Sequence, residues 1–284
     1  MHVGEAVHFG QPLLFAPAGD LEAGSCILVS QIRIRMTMTR KFEYKELDKE
    51  GLETLETIAA ADNFNQWMYE TVAAHLTPGS VIEVGSGIGN ISKMFLDNGW
   101  DMTLSDIREN YCGFLEEHFQ DEKDLKDIVK LDLVHPEFDD IYQDYLGQFD
   151  NLYALNVIEH IEDDVQALVN CKKLLRSGGK IVILVPAYQT LYNKFDENLF
   201  HFRRYTRKTM GAAFNKANIR ITKKFHFNLM GIAGWVVSGS ILKKETIPSG
   251  QMDLYNKLVP IFRLMDKAVL NQIGLSVVVV GEKE

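Results

Sequence analysis

Three glycines in five positions, Gly85, Gly87 and Gly89, join an apolar run at 80–84 to a helical pattern over 88–98. Glycine lets a chain bend sharply and lets a ligand approach without a Cβ in the way. A helix that starts there points free N–H groups at whatever occupies the bend. The same strand-then-helix order recurs downstream. Strands are expected at 102–104, 128–131, 149–155 and 180–185, and helices at 109–119 and 165–175, the last stopped by Ser177-Gly178-Gly179. Alternation at this spacing builds an α/β fold, a mostly parallel sheet with helices on both faces. Before it, a helix is expected from Leu52 and a second, capped by Asp62 or Asn63, as far as His75. After Pro186 come a long aromatic and basic loop, a helix after Thr206, a strand at 221–227, two helices and a last strand at 275–280.

Composition closes off several classes. With 46% hydrophobic and 24% charged residues in 284, the chain is neither disordered overall nor fibrous. A net charge of −9 repels phosphate backbones, so no nucleic-acid partner is expected. Cys26, Cys112 and Cys171 are far apart, which suggests neither a disulfide framework nor a zinc site. With no His-x-x-x-His and no convincing carboxylate pair, no metal is expected. The longest apolar run, 229–242, has 14 residues with three glycines and two serines, short of the roughly 20 needed to span a membrane. No basic segment precedes an apolar core at the N-terminus, so the expected location is cytoplasmic. Residues 1–40 alternate short apolar runs with Gly and Pro and read as a disordered or non-native extension. Residues 41–284 read as one domain.

The glycine turn narrows the ligand. A dinucleotide fold wants Gly-x-Gly-x-x-Gly. Here the third glycine falls at 89 and Asn90 stands where that pattern needs it. Glu83, two residues before Gly85, would repel a pyrophosphate and attract a cationic amino acid or sulfonium. Asp106 lies 23 residues after Glu83 at the end of the second strand, where an acid accepts from ribose hydroxyls. A nucleoside bearing positive charge and no pyrophosphate meets these terms, and S-adenosyl-L-methionine is such a molecule.

Glu83-Val84-Gly85-Ser86-Gly87-Ile88-Gly89 resembles the first motif of class I S-adenosylmethionine-dependent methyltransferases. Leu131-Asp132-Leu133, Asn156-Val157-Ile158-Glu159-His160 and Leu174-Leu175-Arg176-Ser177-Gly178-Gly179 resemble later landmarks in the same order. The chain is most similar in flavour to the bacterial type 11/type 12 methyltransferase domain, through Tyr192, Asp196, His201, Arg203-Arg204-Tyr205 and Gly274-Leu275-Ser276. The resemblance implies a Rossmann-like seven-stranded sheet, mostly parallel, with its last strand antiparallel. It implies that Glu83 holds the cofactor's amino group and that Gly85, Ser86, Gly87 and Gly89 cradle its methionine part. Asp106, followed by Ile107, takes the ribose. Asp132 and Leu133 border the adenine, and Asn156 and Val157, with Ile158, close the other side. Asn156 departs from the commoner acid or cysteine.

Methyl transfer to a hydroxyl is helped by a base. His160, just past the fourth strand, is the first candidate and His201 its rival. Tyr188, Tyr192, Arg203, Arg204 and Tyr205 roof the sheet's edge and are read as acceptor-binding. Two arginines among aromatics suggest an anionic acceptor, because guanidinium forks suit phosphate or carboxylate. The Asn/Asp-Pro-Pro-aromatic loop of base-methylating enzymes is absent at 156–159. The expected acceptor is therefore a small molecule or a glycan- or lipid-linked compound, methylated on oxygen. A non-catalytic cofactor-binding module and an NAD-dependent oxidoreductase are the alternatives. The apolar segments 225–242 and 258–270 read as core helices, with a greasy acceptor pocket or a peripheral membrane patch near Lys243 and Lys244 as the other reading. Oligomeric state is not legible.

Overall fold

The computed structural model describes residues 49–242, 244 and 249–284, so the expectation for residues 1–40 lies outside the described residues. Seven strands form one sheet: β1 (Val81–Val84), β2 (Met102–Asp106), β3 (Leu125–Lys130), β4 (Phe149–Leu155), β5 (Leu175–Pro186), β6 (Arg220–Phe227) and β7 (Ser276–Glu282). Their order is β3-β2-β1-β4-β5-β7-β6. β1 pairs in parallel with β2 and β4, β2 with β3, and β4 with β5. β7, the last in sequence, lies between β5 and β6 and is antiparallel to both. The expected fold class is therefore the observed one.

The central strands are buried on both faces, which is why they read as nearly continuous apolar runs. Val182, Leu184, Val278 and Val280 face helices α2 (Asp62–Ala73), α3 (Asn90–Asp97), α4 (Glu109–Phe119) and α10 (Ser249–Ala268). Ile181, Ile183, Val277 and Val279 face α6 (Asp164–Leu174) and α8 (Arg207–Lys216). Helix α1 (Lys49–Ala59) precedes α2; the short helices are α5 (Phe138–Ile141), α7 (Lys194–Asn198) and α9 (Leu229–Trp235).

Local chemistry sets the helix ends. Asp163 caps α6 by accepting from the Gln166 N–H at 2.9 Å, and Lys172 and Lys173 lie in its last turn, where the helix dipole favours cations. Two expectations fail here. The helix stops one residue early, at Leu174, and Ser177-Gly178-Gly179 lies within β5 rather than ending a helix. Register against β4 jumps from Phe149↔Leu175 to Asn151↔Lys180, so the intervening residues bulge, with Gly178 at φ 78°. Neither Asp62 nor Asn63 caps α2. Ala61 occupies that position without a side-chain cap, and Asn65 instead donates to the Ile58 and Ala59 carbonyls. The helix after Leu229 gives way to a π-helical turn over Val236–Ile241. The apolar segments are only half core: Val259 and Phe262 are buried, while Val237, Ile241, Leu242, Ile261 and Leu264 are exposed. Among the described residues no helix is long and apolar enough to cross a membrane.

The β6–β7 pair closes against a backbone wall at Gly274, where a Cβ would lie 2.3 Å from the Phe227 carbonyl oxygen. Backbone yields less easily than the end of a side chain. Gly274→Ala is expected to lower the unfolding free energy by about 1–3 kcal/mol, the usual range for overpacking, as measured by denaturant titration.

Candidate functional site

The site lies at the carboxyl edge of the parallel strands, where such sheets bind ligands. Gly85 (φ 75°) and Gly89 (φ 78°) adopt left-handed backbone. A Cβ on Gly85 would meet Val157 Cγ2 at 2.4 Å, and one on Gly89 would meet the Phe119 ring at 2.5 Å. The turn is sewn to β2 by backbone: the Gly85 and Ser86 N–H groups both donate to the Ser105 carbonyl at 2.8 Å. Ser86 Oγ accepts from the Ser105 N–H at 3.2 Å. Leu55 of α1 packs at Gly87, so the first helix borders the turn.

Asp106 is buried. Its Oδ2 accepts from the Gly87 N–H and its Oδ1 from the Arg108 N–H, both at 3.0 Å. A carboxylate has about four acceptor sites, so two remain for hydroxyl donors. Burial raises its pKa, with those N–H groups acting the other way. Ile107 beside it is partly buried. Glu83 points from β1 toward α3, accepts from Ser92 Oγ and lies beside the Tyr153 hydroxyl. Burial pushes its carboxyl up to about 7. Asp132 is held by the Val134 N–H at 3.0 Å, and Leu133 is buried, with its carbonyl accepting from Asn170. Asn156 is exposed with φ 54°, and Val157 reaches back to Gly85. Glu83, Gly85, Ser86, Gly87, Gly89, Asp106, Asn156 and Val157 thus gather around one bend. A glycine cradle that a Cβ would fill, with carboxylates at either end, fits a cationic nucleoside.

Over this edge, the roof departs from expectation. Arg204 is nearly fully buried, with Nε on Asp196 Oδ1 at 2.7 Å, Nη1 on the Ala187 carbonyl at 3.2 Å and its guanidinium 4.4 Å from the Trp235 ring centroid. Arg203 pairs with Asp164 at 3.2 Å and donates to the Glu162 carbonyl at 2.8 Å. Tyr205 is buried and donates to Asp164 Oδ2 at 2.9 Å. The arginine charges are thus matched by carboxylates of the chain itself, so neither Arg203 nor Arg204 is left as an unpaired cation. Tyr192 donates to the His201 carbonyl at 2.8 Å. Tyr188 stacks on His226, ring centroids 5.2 Å apart.

His160 and His201, both proposed as bases, meet edge to face with centroids 4.6 Å apart. His201 is buried, with Nδ1 on Asp196 Oδ1 at 2.8 Å. His160 is partly exposed, and burial pushes its ring down to about 3, so it stays neutral. Glu159 is fully buried and sits with them, yet neither of its carboxylate oxygens is hydrogen-bonded among the described residues. Sequence reasoning quoted Glu159 only as a landmark. Its signal, an acid inside an apolar stretch, was present but had no partner nearby in sequence.

A family described as a methyltransferase domain matches residues 82–181, from β1 into β5. Residues 82–181 thus match a methyltransferase domain, and the sheet around them has the fold of such domains. The chain is 29% identical over 187 residues to a hybrid PKS-NRPS synthetase of Talaromyces variabilis, covering 62% of this chain and 4% of that one. It is 24% identical over 120 residues to a ubiquinone biosynthesis O-methyltransferase of Aromatoleum aromaticum, covering 42% of this chain and 47% of the relative. The matches thus span about half of that relative or far less. Among solved structures, a possible histamine N-methyltransferase of Thermotoga maritima superposes with TM-score 0.55 at 14% identity, covering 84% of this chain and 98% of that one. An S-adenosylmethionine-dependent methyltransferase of Archaeoglobus fulgidus gives 0.52 at 15% identity, covering 78% and 94%. At such identities these structures speak for the fold.

Two predictions follow from the charges. Glu83 must be ionised to hold a cation. S-Adenosylmethionine affinity is therefore expected to rise with pH up to about 7 and level off above it, and calorimetry of Glu83→Gln should show that slope flattened. Arg204→Ala strands buried Asp196 and is expected to cost about 3–5 kcal/mol of stability, whereas Arg203→Ala, at a partly exposed pair, costs about 0–1 kcal/mol; urea titration compares them.

Proposed function

We infer that the protein transfers the methyl group of S-adenosylmethionine to an oxygen of a small-molecule or glycan- or lipid-linked acceptor. The observation that carries this reading is the junction of Glu83, the glycine bend and Asp106 at one end of a roofed carboxyl edge. Glu83 takes the cofactor's ammonium, Asp106 its ribose hydroxyls, and Asp132 with Leu133 its adenine, while Asn156 and Val157 close the opposite wall. The cofactor supplies a methyl group already activated by its positively charged sulfur. The chain's part is then chiefly alignment, holding nucleophile and methyl at roughly 3–3.5 Å. Oxygen is favoured because O-methyltransferases stand among the relatives. With both arginines matched internally, nothing on the roof argues for an anionic acceptor. Tyr188 and Tyr192 offer flat apolar walls with hydroxyl handles. His160 is neutral, its ring pushed down to about 3 by burial, and retains a proton poorly. His201 is held by Asp196 and serves the roof.

The test is formation of S-adenosylhomocysteine with a panel of hydroxylated aromatics and glycans. Turnover with at least one hydroxyl acceptor is expected, and cofactor binding without any turnover would favour a binding module instead. Asp106→Ala is expected to weaken S-adenosylmethionine by about 1.5–3 kcal/mol in calorimetry, the range for hydrogen bonds to a charged group. NAD should give no heat, and tight NAD binding would overturn the assignment.

A further inference from the structure

Glu159, His160 and His201 are the one grouping of three or more His, Cys, Asp or Glu among the described residues whose donor atoms converge, all within 4.8 Å of one another. Sequence scanning could not see it, because 41 positions separate His201 from His160. Two features mark it as built for a ligand. The Glu159 side chain is fully buried with neither oxygen hydrogen-bonded among the described residues, and a buried polar group without a partner is costly. His201 is aimed by Asp196, whose Oδ1 takes Nδ1 at 2.8 Å and leaves Nε2 with its lone pair. A histidine oriented by a carboxylate through its far nitrogen is the arrangement metal-ligating imidazoles usually have. The ring of His160 lies within reach of the Asn156 and Leu199 carbonyls. A neutral imidazole has one N–H and can serve only one of them, so its other nitrogen can ligate. The nearest fixed cation, Arg204, is already engaged by Asp196, the Ala187 carbonyl and the Trp235 ring.

We propose that Glu159, His160 and His201 bind a divalent transition-metal ion at the mouth of the methyltransferase site. Two imidazoles and one carboxylate suit zinc, cobalt or iron(II) better than magnesium or calcium, which prefer all-oxygen shells. Ligands at about 2.1 Å from an ion must close by about an ångström from their present spacing, a side-chain movement. His160, the partly exposed member, is the way in. The ion ties the turn after β4 to the roof, beside the existing bond from the Phe202 N–H to the Glu159 carbonyl at 2.8 Å. On the methyl-transfer reading, it also acidifies a ligated acceptor hydroxyl. The proton passes to solvent, the oxygen pair forms the C–O bond as the C–S bond breaks, and a methyl ether and S-adenosylhomocysteine result.

The test uses the full chain, stripped with chelator and dialysed, then titrated with cobalt(II) and followed by its visible absorption, with zinc as competitor. One equivalent is expected to bind, to be displaced by zinc and to raise Tm by several degrees. Glu159→Gln, which keeps the shape of the side chain, and His160→Gln should each weaken binding at least tenfold while circular dichroism shows both folded. No saturable binding up to millimolar cobalt or zinc, or equal binding by both variants, overturns the site. S-Adenosylmethionine titrated separately into the same stripped protein reports on the methyl-transfer reading alone.

Discussion

Taking a carboxylate out of water costs several kcal/mol, and Asp196 is fully buried. Burial alone would raise its pKa, but His201 and Arg204 outweigh that and hold it low. One oxygen receives both His201 Nδ1 and Arg204 Nε, and the other receives the Asn193 N–H at 2.9 Å. Those three partners come from either side of α7. Satisfying one buried charge therefore folds residues 193–204 into a single piece. That piece is laid against the sheet by backbone bonds, from the Tyr205 N–H to the Pro186 carbonyl and from the Tyr188 N–H to the Tyr205 carbonyl. Through the bond from the Phe202 N–H to the Glu159 carbonyl, the same piece also reaches the turn after β4.

The sheet was legible because its signals are local. Val81–Val84 and residues 181–186 of β5 are buried on both faces, and such strands show as short apolar runs. The glycine bend was legible for the same reason. Glu83, Gly85 and Asp106 belong to consecutive strand ends, and the contact from the Gly87 N–H to Asp106 spans 19 positions. What failed at the edges was competition between signals of similar strength. Ser177-Gly178-Gly179 has the chemistry of a helix stop, yet the pairing of Phe149 with Leu175 draws the chain into the sheet before those residues are reached.

The roof was legible in composition and not in connectivity. Arg203, Arg204 and Tyr205 announce charge and aromatic surface, but nothing near them in sequence says that Asp164, some 40 positions earlier, takes both Arg203 and Tyr205. A charged side chain read without its partner looks available, and two such readings in a row suggested an anionic ligand. Glu159 failed in the opposite direction. An acid in an apolar stretch is a weak signal, and only its burial without a hydrogen bond makes it conspicuous.

The two halves of the site are held by different kinds of bond. The glycine bend rests mostly on backbone: Gly85 and Ser86 on Ser105, and Gly89 on Ser86. Such bonds survive side-chain substitution, so the bend keeps its shape as its neighbours vary, provided the glycines stay. The roof rests on side chains, Asp196 with His201 and Arg204, Asp164 with Arg203 and Tyr205, and Asn193 on the Phe195 N–H. Networks of that kind couple their members, so removing one leaves another buried and unpaired. A chain built this way can rebuild 187–205 as a unit while the bend between Glu83 and Asp106 keeps its shape. Around Asp196 it cannot readily do so one residue at a time, because losing Arg204 or His201 alone would leave a buried charge short of a partner.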